Sequence, residues 1–256
     1  MRERVVLVEQ GSLQADIARA RPEVEEILAQ RYEVFCKELR ARPWERARPG
    51  LDEDEFDPYC DHIRVLKDGV LVGSCRVLPG ERAEAGIGFY SAREFDLENM
   101  LSQDQNACEI GRLCIAVGHR KGSVVRVLWS AVAQYASMRH VDVLFGCASF
   151  EGADPEKHAK ALAYLYEQYR SPVRIAGANG RGIGMSRAVV GTNEARAIHN
   201  SLPELIQGYL WMGGTVSWEA VSDRDFDTTD VLTRVVIAEV PENVAEFLTK
   251  IRQRRR

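Results

Sequence analysis

The sequence predicts an α/β protein with a mixed sheet flanked by helices. Three observations carry that expectation. Apolar, β-branched runs alternate with stretches whose apolar residues recur at helical spacing. Residues 107–148 read strand, short loop, helix, strand, the order and length of a parallel βαβ unit. Asp68-Gly69 lies between two apolar runs, the strongest short signal for an antiparallel hairpin. A parallel pair and a hairpin together require a mixed sheet.

The elements follow in order. Residues 4–8 are a strand. Residues 22–39 are a helix: Pro22 suits its first turn, and Val24, Ile27, Leu28, Tyr32, Phe35 and Leu39 share a face. Residues 40–61 are a loop rich in proline, glycine and charge. Residues 63–66 and 70–78 are the hairpin strands. Residues 81–106 are mostly polar loop, with a short helix near 91–95. Residues 107–117 form an apolar strand carrying Glu109 and Arg112 near its start. An ionisable group in a buried strand is costly unless it is paired or used. Residues 118–123 make a short basic loop with two glycines, and the helix 124–138 follows. Strand, glycine loop and helix aim backbone N–H groups at a phosphate. Strand 141–148, helix 157–169, an irregular glycine-rich stretch 171–194 and helix 203–212 come next, the last stopped by Gly213-Gly214. Strands 215–221 and 231–240 and helix 241–251 complete the chain. No linker or repeat divides it, so a single domain over residues 1–256 is expected.

Composition narrows the function. A net charge of −4 gives no global field for nucleic acid, so no nucleic-acid partner is expected. Six cysteines without a CxxC read as free thiols of a reducing cytosol. No run approaches a signal peptide or a transmembrane span, so a cytoplasmic protein is expected. The terminal Arg252 and Arg254 to Arg256 read as a solvated tail, with contact to anionic lipid at the inner membrane face or to an acidic carrier as the alternative. The five histidines show no ligand spacing, so no metal is expected. Gly180-Arg-Gly-Ile-Gly184 lacks the dinucleotide spacing and reads as a mobile loop.

Four segments stand out: Arg31-Tyr-Glu-Val-Phe35, Asp54-Glu-Phe-Asp57, Gly73-Ser-Cys-Arg76 and Glu109-Ile-Gly-Arg112. The element order resembles the Gcn5-related N-acetyltransferase fold, and these segments resemble the signature of acyl-homoserine-lactone autoinducer synthases. Asp61-His62, 89–95, 144–149, 202–210 and 226–231 resemble the ornithine N-acyltransferases that begin ornithine-lipid synthesis. The resemblance covers nearly the whole chain. It implies transfer of a 3-hydroxyacyl chain from acyl carrier protein to the α-amine of an amino acid. Ornithine is the implied acceptor and lyso-ornithine lipid the product. No cofactor is bound permanently, since 4′-phosphopantetheine arrives on the carrier. The alternatives are an acyl-homoserine-lactone or other N-acyl amino acid synthase and, from another class, a catalytically inactive lipid-binding module.

The resemblance also implies roles. Glu109 is read as the base, directly or through water; an ion pair with Arg112 competes, although a spacing of three puts the two on opposite strand faces. Tyr209, four residues before Gly213, resembles the phenol that protonates a departing sulfur, and a core tyrosine is the competing reading. His62 is the third catalytic candidate, with loop packing as its alternative. Arg31, Phe35, Asp54, Asp57, Arg76, Arg112 and Ser149 are expected at the substrate. Asp54 and Asp57 either pair with Arg31 and Arg76 or meet the acceptor's cationic end. Asp52 and Glu53 read as solvated loop acids. His119, Arg120, Lys121, Gly122 and Ser123 are expected to hold the phosphopantetheine phosphate. Their loop keeps only part of the glycine pattern of coenzyme A users, which suits a donor with one phosphate.

Overall fold

The computed structural model describes residues 4–104, 106–120, 122–191 and 193–250. Strand β1 (Val6–Gln10) turns at Gly11, whose φ of +60° costs a glycine nothing, into β2 (Leu13–Ile17). The sequence pattern hid β2 because Asp16 interrupts its apolar run. Asp16 is fully buried and is held by Arg4 and by Arg64 Nε at 2.7 Å. Helix α1 (Arg21–Arg31) has Pro22 in its first turn, and Glu23 accepts from the Arg19 and Ala20 N–H groups. It continues as a π-helical segment, Tyr32–Glu38, which rotates the end of the expected helix.

Strands β3 (Asp61–Lys67) and β4 (Val70–Pro79) form the expected hairpin. Asp68 and Gly69 both take positive φ, +49° and +82°, as a tight primed turn demands. Short helices α2 (Gly80–Ala85) and α3 (Glu98–Leu101) flank a 3₁₀ turn, Tyr90–Arg93. Strand β5 (Ala107–Ile115), helix α4 (Ser123–Met138) and strand β6 (Val143–Glu151) realise the βαβ unit. The β5–β6 ladder is parallel and short, with Ala107, Cys108 and Glu109 opposite Val143, Leu144 and Phe145.

Helix α5 (Ala159–Tyr169) follows, then β7 (Ile183–Gly184), α6 (Ala195–Ser201) and α7 (Glu204–Trp211). The expected strand 215–221 is two strands, β8 (Thr215–Val216) and β9 (Glu219–Asp223). Between them the Ser217 hydroxyl accepts from Leu232 N–H and donates to the Glu219 carbonyl, replacing one rung of the ladder. Strand β10 (Thr228–Val236) starts three residues before the expected strand, and α8 (Glu242–Lys250) is the last described element. Part of the supposedly mobile glycine stretch is β7, paired antiparallel with β9.

The chain forms two compact units. The first comprises residues 4–87, 110–141 and 242–250. Here β1, β2, β3 and β4 pair in sequence, and β4 neighbours β5. Helix α4 lies on the strands, burying Val124, Val127, Leu128, Ala131, Val132 and Tyr135, and α8 packs on α4. Each of the valines and the leucine among them is worth about 1.5–3 kcal/mol when fully buried. The second unit comprises residues 88–109 and 142–241, with strand order β5-β6-β10-β9-β7 and β8 on β10.

The C-terminus of α7 is the tightest turn. Gly213 takes φ +81°, and the Gly214 N–H donates to the Tyr209 carbonyl at 2.9 Å. A Cβ on Gly214 would lie 2.6 Å from that carbonyl oxygen and 3.0 Å from Val235 Cγ2. Gly214→Ala is therefore expected to cost about 1–3 kcal/mol through overpacking. Urea unfolding checks this, and an unchanged midpoint contradicts it.

Candidate active site

In the first unit, three arginines meet three aspartates out of water. Arg31, 1% exposed, reaches Asp52 Oδ2 through Nε at 2.8 Å and Asp57 Oδ1 through Nη1 at 2.7 Å. Arg76 Nη1 donates to Asp54 Oδ1 at 2.5 Å and to Asp57 Oδ1 at 3.2 Å. Arg112 closes the set, with Nη2 3.0 Å from Asp54 Oδ2 and Nε 3.4 Å from Asp52 Oδ2. Arg112 does this from φ +50° inside β5, a left-handed backbone that breaks the alternation of the strand. Burial pushes the Asp57 carboxyl up, but the charges of Arg31 and Arg76 overcome it and hold the group well below the usual range. Asp54 is likewise held low, Arg76 and Arg112 outweighing burial.

His62 belongs to this group. It is 4% exposed, with Nε2 3.4 Å from the Asp57 carbonyl. Burial lowers its pKa against the pull of Asp57, so the ring is neutral at neutral pH. Phe35 lies half-buried on the π-helical segment. The expected pairing of Asp54 and Asp57 with Arg31 and Arg76 is what the structure shows. Asp52, read as a solvated loop acid, is 4% exposed and carries two of the arginine contacts.

In the loop after β5, Gly118 and Gly122 have φ +86° and +84°, and Ser123 opens the 16-residue helix α4. The Arg120 guanidinium is bidentate on Glu38, at 2.6 and 2.5 Å, with Nε on the Ile115 carbonyl. His119 and Ser123 line a groove of about 1070 Å³, together with Lys67, Arg126 and Phe247. Lys121 lies outside the described residues.

The second unit holds Glu109, 5% exposed. Its Oε1 accepts from Ser91 N–H at 2.7 Å and Ser91 Oγ at 2.5 Å, and its Oε2 accepts from Tyr90 N–H at 2.9 Å. The carboxylate thus caps the 3₁₀ turn Tyr90–Arg93. Three donors fix its orientation. Phe89 packs edge-on against Phe145, centroids 4.9 Å apart, which seats the turn against β6.

Beyond Ser91 the polar contacts continue. Cys147 Sγ lies 3.3 Å from Ser91 Oγ and 3.4 Å from Glu94 Oε2. Glu94, Cys147 and Asp230 offer three ligating atoms within 4.8 Å of one another. Burial, then the charges of Asp230 and Asp223, push Glu94 up to about 9. Burial also lifts Asp230 to about 6, although the hydroxyls of Thr228 and Ser149 act in the opposite sense. Ser149 is half-buried and sits opposite Asp230 in the β6–β10 ladder. Tyr209 is 1% exposed on α7 of this unit. So the expected site residues that are described fall into two sets: Glu109, Ser149 and Tyr209 in the second unit, the others in the first.

Comparison with known proteins gives this geometry a family. A model described as acetyltransferase (GNAT) domain matches residues 30–130. L-ornithine N(alpha)-acyltransferase of Agrobacterium fabrum is 33% identical over 248 residues, 90% of this chain and 83% of that protein. Proteins of the same name from Rhizobium meliloti and Rhodobacter capsulatus are 35% and 34% identical, over 90% and 93% of this chain and 82% and 95% of their own lengths. The chain belongs to the L-ornithine N(alpha)-acyltransferase family. Its fold is that of FeeM, an N-acyl amino acid synthase from uncultured soil microbes, with TM-score 0.55 at 10% identity over 90% of this chain and 95% of that one. The protein is an acyltransferase with a GNAT-like mixed sheet. No helix among its described residues is long and apolar enough to cross a membrane.

Of the residues in this polar cluster, sequence reasoning singled out Glu109 and did not single out Ser91, Glu94, Cys147 or Asp230. Ser91 and Glu94, Cys147, and Asp230 stood inside the segments 89–95, 144–149 and 226–231, so the signal was present. What the sequence lacked was the fold that brings residue 230 to residue 94.

The buried charges of the first unit predict an acid limb in stability. Asp57 titrates lower folded than unfolded, so its contribution is full above about pH 4 and is lost as pH falls toward the folded value. Asp57→Asn should cost about 3–5 kcal/mol at pH 7, because Arg31 loses a buried partner. It should also flatten the fall in stability below pH 4. Urea unfolding at pH 7 and pH 3 reads both, and a variant within 1 kcal/mol of wild type at pH 7, on the scale of an exposed pair, contradicts the account.

Proposed function

We propose that the chain transfers a 3-hydroxyacyl group from acyl carrier protein to the α-amine of L-ornithine, giving lyso-ornithine lipid. The acceptor reading rests on one observation: identity near one third, along nearly the whole chain, to proteins named L-ornithine N(alpha)-acyltransferase. The donor reading rests on the loop after β5. Arg120 is engaged by Glu38, so a phosphate there relies on the first N–H groups of α4, with His119 and Ser123 beside them. That is a modest anion site, suited to the single phosphate of a carrier-bound arm.

The chemistry needs a base, an acid and donors to the thioester oxygen. The acceptor's α-ammonium loses a proton to Glu109, directly or through water, and the free amine attacks the thioester carbon. The β5–β6 ladder ends at Glu109 and Phe145, and among the described residues no strand continues that pairing along β6. Backbone N–H groups of β6 beyond Phe145 then serve the developing oxyanion. The C–S bond breaks, Tyr209 gives its proton to the leaving thiolate, and the second proton shed by the attacking nitrogen as the amide forms restores the Tyr209 hydroxyl. The proposal includes a cytoplasmic enzyme working peripherally at the inner membrane face.

Glu109→Gln keeps the shape and removes the base. Its turnover should fall about 10²–10⁴-fold with donor affinity nearly intact. If the folded variant stays within about threefold of wild type, the base lies elsewhere and His62 becomes the better candidate.

Matched 3-hydroxyacyl donors on carrier protein and on coenzyme A test the donor. Higher kcat/KM on the carrier is expected, weakening as salt rises. Equal or better efficiency with coenzyme A sinks the donor reading.

A further inference from the structure

The second unit buries acids without a cation. Several other buried carboxylates among the described residues are paired: Asp52, Asp54 and Asp57 with arginines in the first unit, and Asp104 with Arg234 at 2.6 Å in the second. Glu94 and Asp230 break that pattern. They are 5% and 4% exposed, and no arginine or lysine pairs with either among the described residues. Asp230 Oδ1 is buried with no hydrogen-bond partner there. The charged group that bears on both is a third acid, Asp223.

The surroundings are open on one side. Cys147 and Ser149 project from β6 on the face that carries Asp230 on β10, and both are half-buried. Cys147 also links the pair to Ser91 and so to the Glu109 carboxylate. A diamino acid has two amines, and this chain of contacts has an acidic group at each end.

We propose that Glu94 and Asp230 together form the subsite for the side-chain ammonium of the acceptor, an inference that rests on the ornithine reading above. The charge fits. Two carboxyl groups this close and this buried cannot both ionise, so the pair shares one proton and carries one negative charge, the complement of one ammonium. A divalent metal fits worse. Burial and the neighbouring acids keep the Cys147 thiol protonated well beyond neutral pH, and a metal would need the thiolate and both carboxylates free of protons. An ammonium donates hydrogen bonds to the orphan Asp230 Oδ1 and supplies the missing cation, so it reverses the cost of burying that carboxylate.

The test compares L-ornithine with L-norvaline, which has the same carbon chain and no side-chain amine. With a 3-hydroxyacyl carrier-protein donor, wild type should favour ornithine by about 10³ or more in kcat/KM, because norvaline leaves buried acids unpartnered. Asp230→Asn should bring the two acceptors within about tenfold by losing ornithine activity while norvaline activity holds. If wild type acylates both acceptors equally, or Asp230→Asn keeps the full preference, the subsite is wrong while the ornithine reading stands. If wild type acylates no ornithine at all, the ornithine reading itself fails. The wild-type comparison decides even if Asp230→Asn does not fold. Metal analysis of the purified protein adds a last check: one equivalent of tightly held divalent metal, lost in Asp230→Asn, would overturn the proposal in favour of a metal site.

Discussion

The first unit depends on six charges taken out of water together. Arg31, Arg76 and Arg112 sum to zero with Asp52, Asp54 and Asp57, and no member is satisfied by one partner alone. Burying a lone ion costs several kcal/mol after relaxation, so the set is tolerable only when complete. This explains how 52–57, a segment with little regular secondary structure, keeps one conformation. Asp57 Oδ2 accepts from Asp54 N–H, Asp54 Oδ1 from Phe56 N–H, and Asp52 N–H donates to the Leu28 carbonyl. The network ties the end of α1, strand β4 and strand β5 to that loop. Its yield is geometric specificity more than net stability.

The second unit treats charge differently. Glu109 receives two backbone N–H groups and a hydroxyl, which hold its carboxyl group in one orientation. Glu94 and Asp230 receive less. Energy spent on burying them is not recovered within the protein, and such unbalanced groups gather where a ligand completes the electrostatics. One unit closes its charges internally and the other leaves a deficit.

Much of the fold was legible in the sequence. Asp68-Gly69 gave the hairpin because only a few residues take two successive positive φ values. The run 107–148 gave a parallel pair because a helix must bring the chain back. Glu109 stood out as a charge in an apolar run, and Asp54 and Asp57 through the resemblance of their segment to the autoinducer-synthase signature. The failures share a cause. Asp16 hid β2, and Asp52 passed for a solvated acid between Leu51 and Glu53, because burial of a carboxylate depends on a distant arginine that no local pattern reveals. Ser217 cut one expected strand in two through a side-chain bond to another strand. Glu94 and Asp230 lie 136 positions apart, and only the placement of β10 beside β6 joins them.

Arg112 carries a consequence for engineering. Its φ of +50° is a conformation that costs a non-glycine residue roughly 1–2 kcal/mol. The backbone there asks for glycine or asparagine, and the two facing aspartates ask for a guanidinium. Preceding it, a Cβ on Gly111 would press to 3.3 Å from Arg76 Nε, so the neighbouring position offers no relief. Glycine at 112 would relieve that strain but leave the aspartate cluster short of one cation, a loss of about 3–5 kcal/mol that outweighs the gain. Thermostabilisation of this acyltransferase would therefore hold position 112 fixed and look for its gains elsewhere.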